Sequence, residues 1–162
     1  MRSLFAFPNP VNEKAARVVA GTVFAISIVA LATGAYWLLA VLAYGFIARV
    51  LTGPTLSPLG RLATSVLAPR MGEARPVPGP PKRFAQGVGA VLTTTGAICV
   101  LAGASSTVAI VLLALMIAAA GLESILAFCI GCQLFALLMR AGLIPASVCE
   151  ECANFALRSK PA

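Results

Sequence analysis

Four apolar runs set the terms for this chain: about Ala16 to Thr33, Tyr36 to Leu51, Phe84 to Ala102 and Thr107 to Ala127. A helix of roughly 20 apolar residues is what it takes to cross a hydrocarbon core of about 30 Å, and each run is read as one such span. Only Gly34-Ala35 separates the first two runs and only Gly103-Ala104-Ser105-Ser106 the last two, so each pair reads as a tight helical hairpin. With 60% of residues hydrophobic and a mean hydropathy of +0.98, little polar sequence remains for a separate soluble domain. The expected fold is all-α and membrane-embedded: four transmembrane helices as two hairpins, each followed by a short interfacial helix, forming one membrane domain over residues 1–162.

The N-terminus imitates a signal peptide, with Arg2, the apolar stretch Val18 to Leu31 and the small residues around Leu31. A long preceding arm that contains Glu13, and a second apolar run almost at once, argue for a retained first span.

Between the hairpins, residues 53–83 carry Pro54, Pro58, Pro69, Pro76, Pro78, Pro80 and Pro81 together with Arg61, Arg70, Arg75, Lys82 and Arg83. Such a segment is read as lying outside the lipid, with Pro58 to Ala68 as a short interfacial helix that has proline in its first turn. Every Lys and Arg falls in the N-terminal arm (1–15) or just after it, near the central loop, or in the C-terminal tail (128–162), and neither hairpin tip (Gly34-Ala35, Gly103 to Ser106) has one. By the positive-inside rule both termini and the central loop are cytoplasmic. The net charge of +7 is assigned to this rule and to anionic headgroups, with no nucleic acid as partner.

The halves resemble one another in order and spacing. Lys14 to Gly21 matches Lys82 to Gly89, LATGA (31–35) matches LAGA (101–104), and SPLGRLATSVLAPR (57–70) matches FCIGCQLFALLMR (128–140). Two units of two spans each share one orientation and are related by a pseudo-two-fold axis along the membrane normal. The local alignment lays Pro58-Leu-Gly-Arg61 over Cys129-Ile-Gly-Cys132, so Cys129 is expected to begin a helix, and thiols are not demanded by that position in the scaffold.

Four of the five cysteines lie in FCIGCQLFALLMRAGLIPASVCEEC, as Cys129-x-x-Cys132 and Cys149-x-x-Cys152. Residues three apart on a helix share a face, and a thiol at a helix start meets unpaired N–H groups that favour its thiolate. Thiol–disulfide exchange or persulfide carriage by Cys129 and Cys132 is one reading. The spacing C-x2-C-x16-C-x2-C also suits a four-cysteine zinc site of Cys129, Cys132, Cys149 and Cys152. Glu150 and Glu151 beside the second pair raise a thiol pKa and suit a cation better than a reactive thiolate. The plain alternative is cysteine as a small hydrophobe.

On this stretch, with SPLGRL and PPKRFAQGVG before it, the chain resembles the bacterial membrane-protein family called domain of unknown function 4395, over roughly Pro8 to Arg158 and most specifically at Phe128, Cys129, Gly131 and Cys132. The resemblance implies four spans, no assigned activity, and genomic neighbours of the thioredoxin-like and sulfurtransferase kinds, hence a cytoplasmic partner of one of those classes. It also implies a small amide where this chain has Glu123.

Glu123, near the end of the fourth span, is either a proton acceptor for the dithiol or a carboxylate that snorkels to the near interface or pairs with an arginine such as Arg49. Cys99 is read as a packing residue. Gly21, Gly87, Gly89 and Gly96 are read as points of close helix contact, and Tyr36 and Trp37 as interfacial anchors. The leading reading is thiol or sulfur exchange. A zinc-bound scaffold is its rival, and a permease for a sulfur compound the weakest, since apart from Glu123 the spans offer little polar lining. If the charge pattern sets sidedness, an impermeant maleimide labels the reduced Cys129–Cys152 tail only after spheroplasts are permeabilised. Labelling of the tail in intact spheroplasts reverses the topology.

Overall fold

The computed structural model describes residues 7–103, 105–149 and 152. Helix α1 is Glu13–Thr33, α2 Leu38–Thr52, α3 Pro58–Leu62, α4 Ala68–Arg70, α5 Gly79–Leu101, α6 Ser106–Leu126 and α7 Ile130–Arg140. A π-helical turn, Ala63–Leu67, joins α3 to α4 in one irregular rod, and a 3-10 turn follows α7 at Ala146–Val148. Three helices, α1, α5 and α6, are long and apolar enough to cross a membrane, which marks the chain as a membrane protein. The apolar α2 has 15 residues and rises about 22 Å, because the turn at Tyr36-Trp37 delays its start and Gly53, at φ 61°, ends it.

Helix ends follow local chemistry. Asn12 caps α1 by accepting the Lys14 N–H at 3.0 Å, and Gly34, at φ 69°, closes it in the left-handed conformation. Pro80 and Pro81, expected to lie outside the helix, instead sit in the first turn of α5, which begins at Gly79. Proline costs nothing there, because the first-turn N–H groups have no intrahelical acceptor.

The sequence suggested that each hairpin packs on itself, but the extensive interfaces run between the halves. Helix α1 lies along α6 and α2 lies along α5, whereas α1 and α2 touch little. The α3–α4 rod rests on α1, and α7 rests on α5. Exchanging the halves takes each of these contacts into its counterpart: α1–α6 into α5–α2, and the rod on α1 into α7 on α5.

On α5, Gly89 lies beneath the Phe46 ring and Gly96 beneath Leu39, whose Cδ1 would stand 3.0 Å from an added Cβ. The two glycines, seven residues apart, thus open one seam for α2. Gly21 makes only ordinary contact with Ser124, and Gly87 has nothing within 4 Å, so it is not a contact point. Val19, Val23, Leu42, Phe46 and Met116 fill the core at the charged end, and Ala30, Leu39, Ala97, Ala109 and Leu113 fill it toward the tips. Outside that core, Val91, Ile98, Leu101, Val111, Leu115 and Ile125 are exposed around the bundle, as lipid-facing side chains are. At the first tip Trp37 is exposed, while Tyr36 packs inward on the Leu39 cluster.

A two-stranded antiparallel clip was not foreseen. Strand β1, Val11–Asn12, pairs with β2, Pro76–Val77, and ties the N-terminal arm to the end of the central loop. The Asn9 side chain reinforces it by accepting the Gly79 N–H at 2.9 Å.

Gly89→Leu forces the Phe46 ring out of its seat and is expected to cost about 1–3 kcal/mol, read as a fall in detergent melting temperature. Gly87→Leu, which meets open space, should leave that temperature within about 1 °C. Equal losses at both positions contradict the packing seam.

Candidate functional site

Cys129 occupies the N-cap of α7, in extended backbone, and its Sγ accepts the N–H of Cys132 at 3.3 Å. The expectation that a helix begins at Cys129 is met, with a thiol where Ser57 caps α3 by accepting the Gly60 N–H at 3.1 Å. Aligned by caps, Ser57 rather than Pro58 stands opposite Cys129, one residue from the alignment by glycines.

Cys129 and Cys132 are joined by a disulfide, their Cα atoms 5.2 Å apart. Cys149 and Cys152 form a second with the same Cα separation, and Cys149 Sγ likewise accepts the Cys152 N–H at 3.3 Å. In each pair the first cysteine is buried and the second partly exposed: Cys129 is 7% exposed and Cys149 4%. Cys99 is free and half-buried in α5.

Helix α7 is held tightly on α5. A Cβ on Gly131 would lie 2.7 Å from the Cα of Ala85, so only glycine permits this approach. One turn on, the rings of Phe135 and Phe84 meet at 5.6 Å. Ile130, Leu134 and Leu137 share the opposite, exposed face, as in a helix lying in a lipid interface. The Cys129–Cys132 disulfide is therefore fixed to the start of α5.

Two hollows meet at Cys129. An open cleft of about 410 Å3 is lined by Glu13, Lys82, Phe128, Cys129, Cys132 and Gln133. A second hollow, about 270 Å3, is walled by α1, α2, α5, α6 and α7 and opens to the outside at Leu115, Ile130 and Leu134, with Gln86, Glu123 and Cys129 interrupting its apolar wall. Glu123 is paired not with Arg49 but with Lys82, whose Nζ lies 2.6 Å from Oε1, both side chains being largely buried. The reason lies in the packing within the second hairpin: the first turn of α5, carrying Lys82, meets the last turn of α6, carrying Glu123. Arg49 instead donates to Gln86 Oε1 at 2.8 Å and stacks over Phe46, 4.6 Å from the ring centre. Lys82 lay inside a loop rich in cations, and nothing in the sequence separated it from its neighbours.

Among the described residues no three of Cys, Asp or Glu stand close enough to hold a metal ion. The four cysteines are brought together as two pairs and not as one tetrad, so they do not fit zinc in this arrangement. Glu150 and Glu151 lie outside the described residues.

A family model described as domain of unknown function DUF4395 matches residues 11–140. The chain belongs to this family. The DUF4395 match stops short of the resemblance read to Arg158: it contains the whole bundle, α7 and the Cys129–Cys132 pair, and ends before Cys149. No curated protein and no solved structure matches the chain.

The Lys82–Glu123 pair is expected to show strong coupling. Lys82→Met or Glu123→Leu alone strands a mostly buried charge and should cost about 3 kcal/mol, while the double replacement recovers most of that loss. Detergent melting temperatures of the four proteins measure it, and additive effects contradict the pair.

Proposed function

We propose that this protein is a four-span bacterial plasma-membrane protein whose Cys129–Cys132 pair exchanges disulfides with a soluble cytoplasmic thiol protein of thioredoxin-like or sulfurtransferase type. One observation carries the reading: a disulfide at a helix N-terminus, its inner sulfur capped by a backbone N–H and its outer sulfur partly exposed in an open cleft beside Lys82. The symmetry of the packing between halves supports the duplicated four-span arrangement, with α2 completing the set. The gathering of cations at the end away from both tips supports a cytoplasmic face for the cleft.

The exchange balances without a cofactor. A partner thiolate attacks Cys132 Sγ, the more accessible sulfur, forming a mixed disulfide while the Cys129–Cys132 bond breaks. The electron pair leaves on Cys129 as a thiolate, held by the Cys132 N–H and the unpaired N–H groups of the first turn of α7. A second partner thiol, after losing its proton, attacks the partner's own sulfur in the mixed disulfide and releases Cys132. The partner ends as a disulfide and the membrane pair as a dithiol, two electrons and two protons having moved. Run backwards, the same steps reduce a partner disulfide, and the relative potentials set the direction. Persulfide carriage uses the same outer sulfur. Cys149 and Cys152, beyond the matched family segment, are assigned a helping role in the exchange.

The rival, a four-thiol zinc scaffold, requires both disulfides reduced and the two pairs moved together. In protein kept reduced, Cys129→Ala leaves an outer thiol and Cys132→Ala an inner one. A maleimide is expected to modify the Cys129→Ala protein about tenfold faster or more at this site, and only that variant should accumulate a mixed disulfide when offered the partner in its disulfide form, the Cys132 thiolate attacking that disulfide as one partner thiolate leaves. Zinc bound one per reduced chain with all four thiols masked, or faster labelling at Cys129, would sink the exchange reading.

A further inference from the structure

A cavity of about 300 Å3 opens where the N-terminal arm, the end of α2 and the starts of α1, α3 and α5 converge, and its wall includes Arg49, Lys82, Gln86, Asn12 and Thr64. Arg49 is only 6% exposed, yet among the described residues its direct contacts are neutral: Gln86 Oε1 at 2.8 Å, Ser57 Oγ at 3.5 Å and the Phe46 ring, while the carboxylate whose charge reaches it, Glu123, is already paired with Lys82. Its Nη2 is buried with no hydrogen-bond partner among the described residues. Lys82, 8% exposed, is already matched by Glu123 in the one ion pair found among the described residues. The cavity wall therefore carries one positive charge in excess, on a group that forms forked hydrogen bonds to oxyanions. An unpaired buried charge is costly, and a single bound negative charge relieves it.

We propose that this cavity is a binding site for one phosphate-type oxyanion, gripped by Arg49 with Lys82 and Gln86 beside it. The volume admits an oxyanion with water, or the phosphodiester of a lipid headgroup entering from the interface, and is too roomy to select a halide. The inference does not depend on thiol exchange, since neither cysteine pair lines this cavity.

The full-length protein, purified in nonionic detergent and stripped of lipid, is titrated with sodium phosphate and with sodium chloride at matched ionic strength while its melting temperature is followed. Native mass spectrometry of the unstripped protein counts retained phospholipid. For free phosphate, the melting temperature is expected to rise by about 2–4 °C and to saturate, with no rise in chloride. For a lipid headgroup, one anionic phospholipid stays bound, and phosphate raises the melting temperature only after that lipid is removed. Arg49→Gln should abolish whichever response is seen. If that variant does not fold, Arg49→Lys is read instead and is expected to weaken the response about tenfold. No phosphate-specific rise together with no retained lipid overturns the proposal, and so does a response unchanged by the Arg49 substitution.

Discussion

A helix leaves its last carbonyls without intrahelical donors, and here each half supplies donors to the other. Arg17, one turn into α1, donates to the Ser124 and Ile125 carbonyls at the end of α6, at 3.0–3.2 Å. Arg83, at the start of α5, donates to the Val50 carbonyl near the end of α2 at 3.0 Å. A positive group at a helix C-terminus also meets the negative end of its dipole. These contacts need α1 beside α6 and α5 beside α2, so the capping of helix ends and the packing of apolar seams require the same arrangement. Lys82–Glu123 adds a third link at that end, between α5 and α6.

The gathered charges also set the surroundings of the Cys129–Cys132 pair. Because α5 opens with Lys82 and Arg83, and α7 is pressed on α5 at Ala85 and Phe84, the helix start that bears Cys129 is drawn to the polar end of the bundle. Cys129 lines both an apolar hollow that opens on the outer face and an open cleft, with Cys132 toward the latter. The glycine between the two cysteines has a mechanical role: it lets α7 approach α5 closely enough to bury the inner sulfur.

Much of this was legible in the chain. The apolar runs announced helices α1, α5 and α6 and the shorter α2, and Pro58 announced the start of the short α3. The Phe-Cys-x-Gly-Cys stretch pointed to a helix start at Cys129. Proline misled in one place: Pro80 and Pro81 resembled loop residues, although the first turn of a helix tolerates them. Other features had no local signal. The β1–β2 clip involves two residues on each side, too few for a periodic pattern, and Glu123 chose Lys82 over Arg49 through helix pairing alone. Gly87 and Gly89 look alike in sequence, yet only Gly89 faces a neighbouring ring.

What the sequence determined by itself was everything set by composition along one segment: which stretches are apolar enough to leave water, where helices start and stop, and on which flank the cations lie. These depend on transfer energies and capping chemistry, which act over a few residues. Tertiary structure alone decided which helix lies beside which, which carboxylate meets which cation, which cysteine of each pair is buried, and that Arg49 lines a cavity with no carboxylate of its own. Those outcomes depend on the meeting of residues tens of positions apart, and no local pattern encodes such a distance.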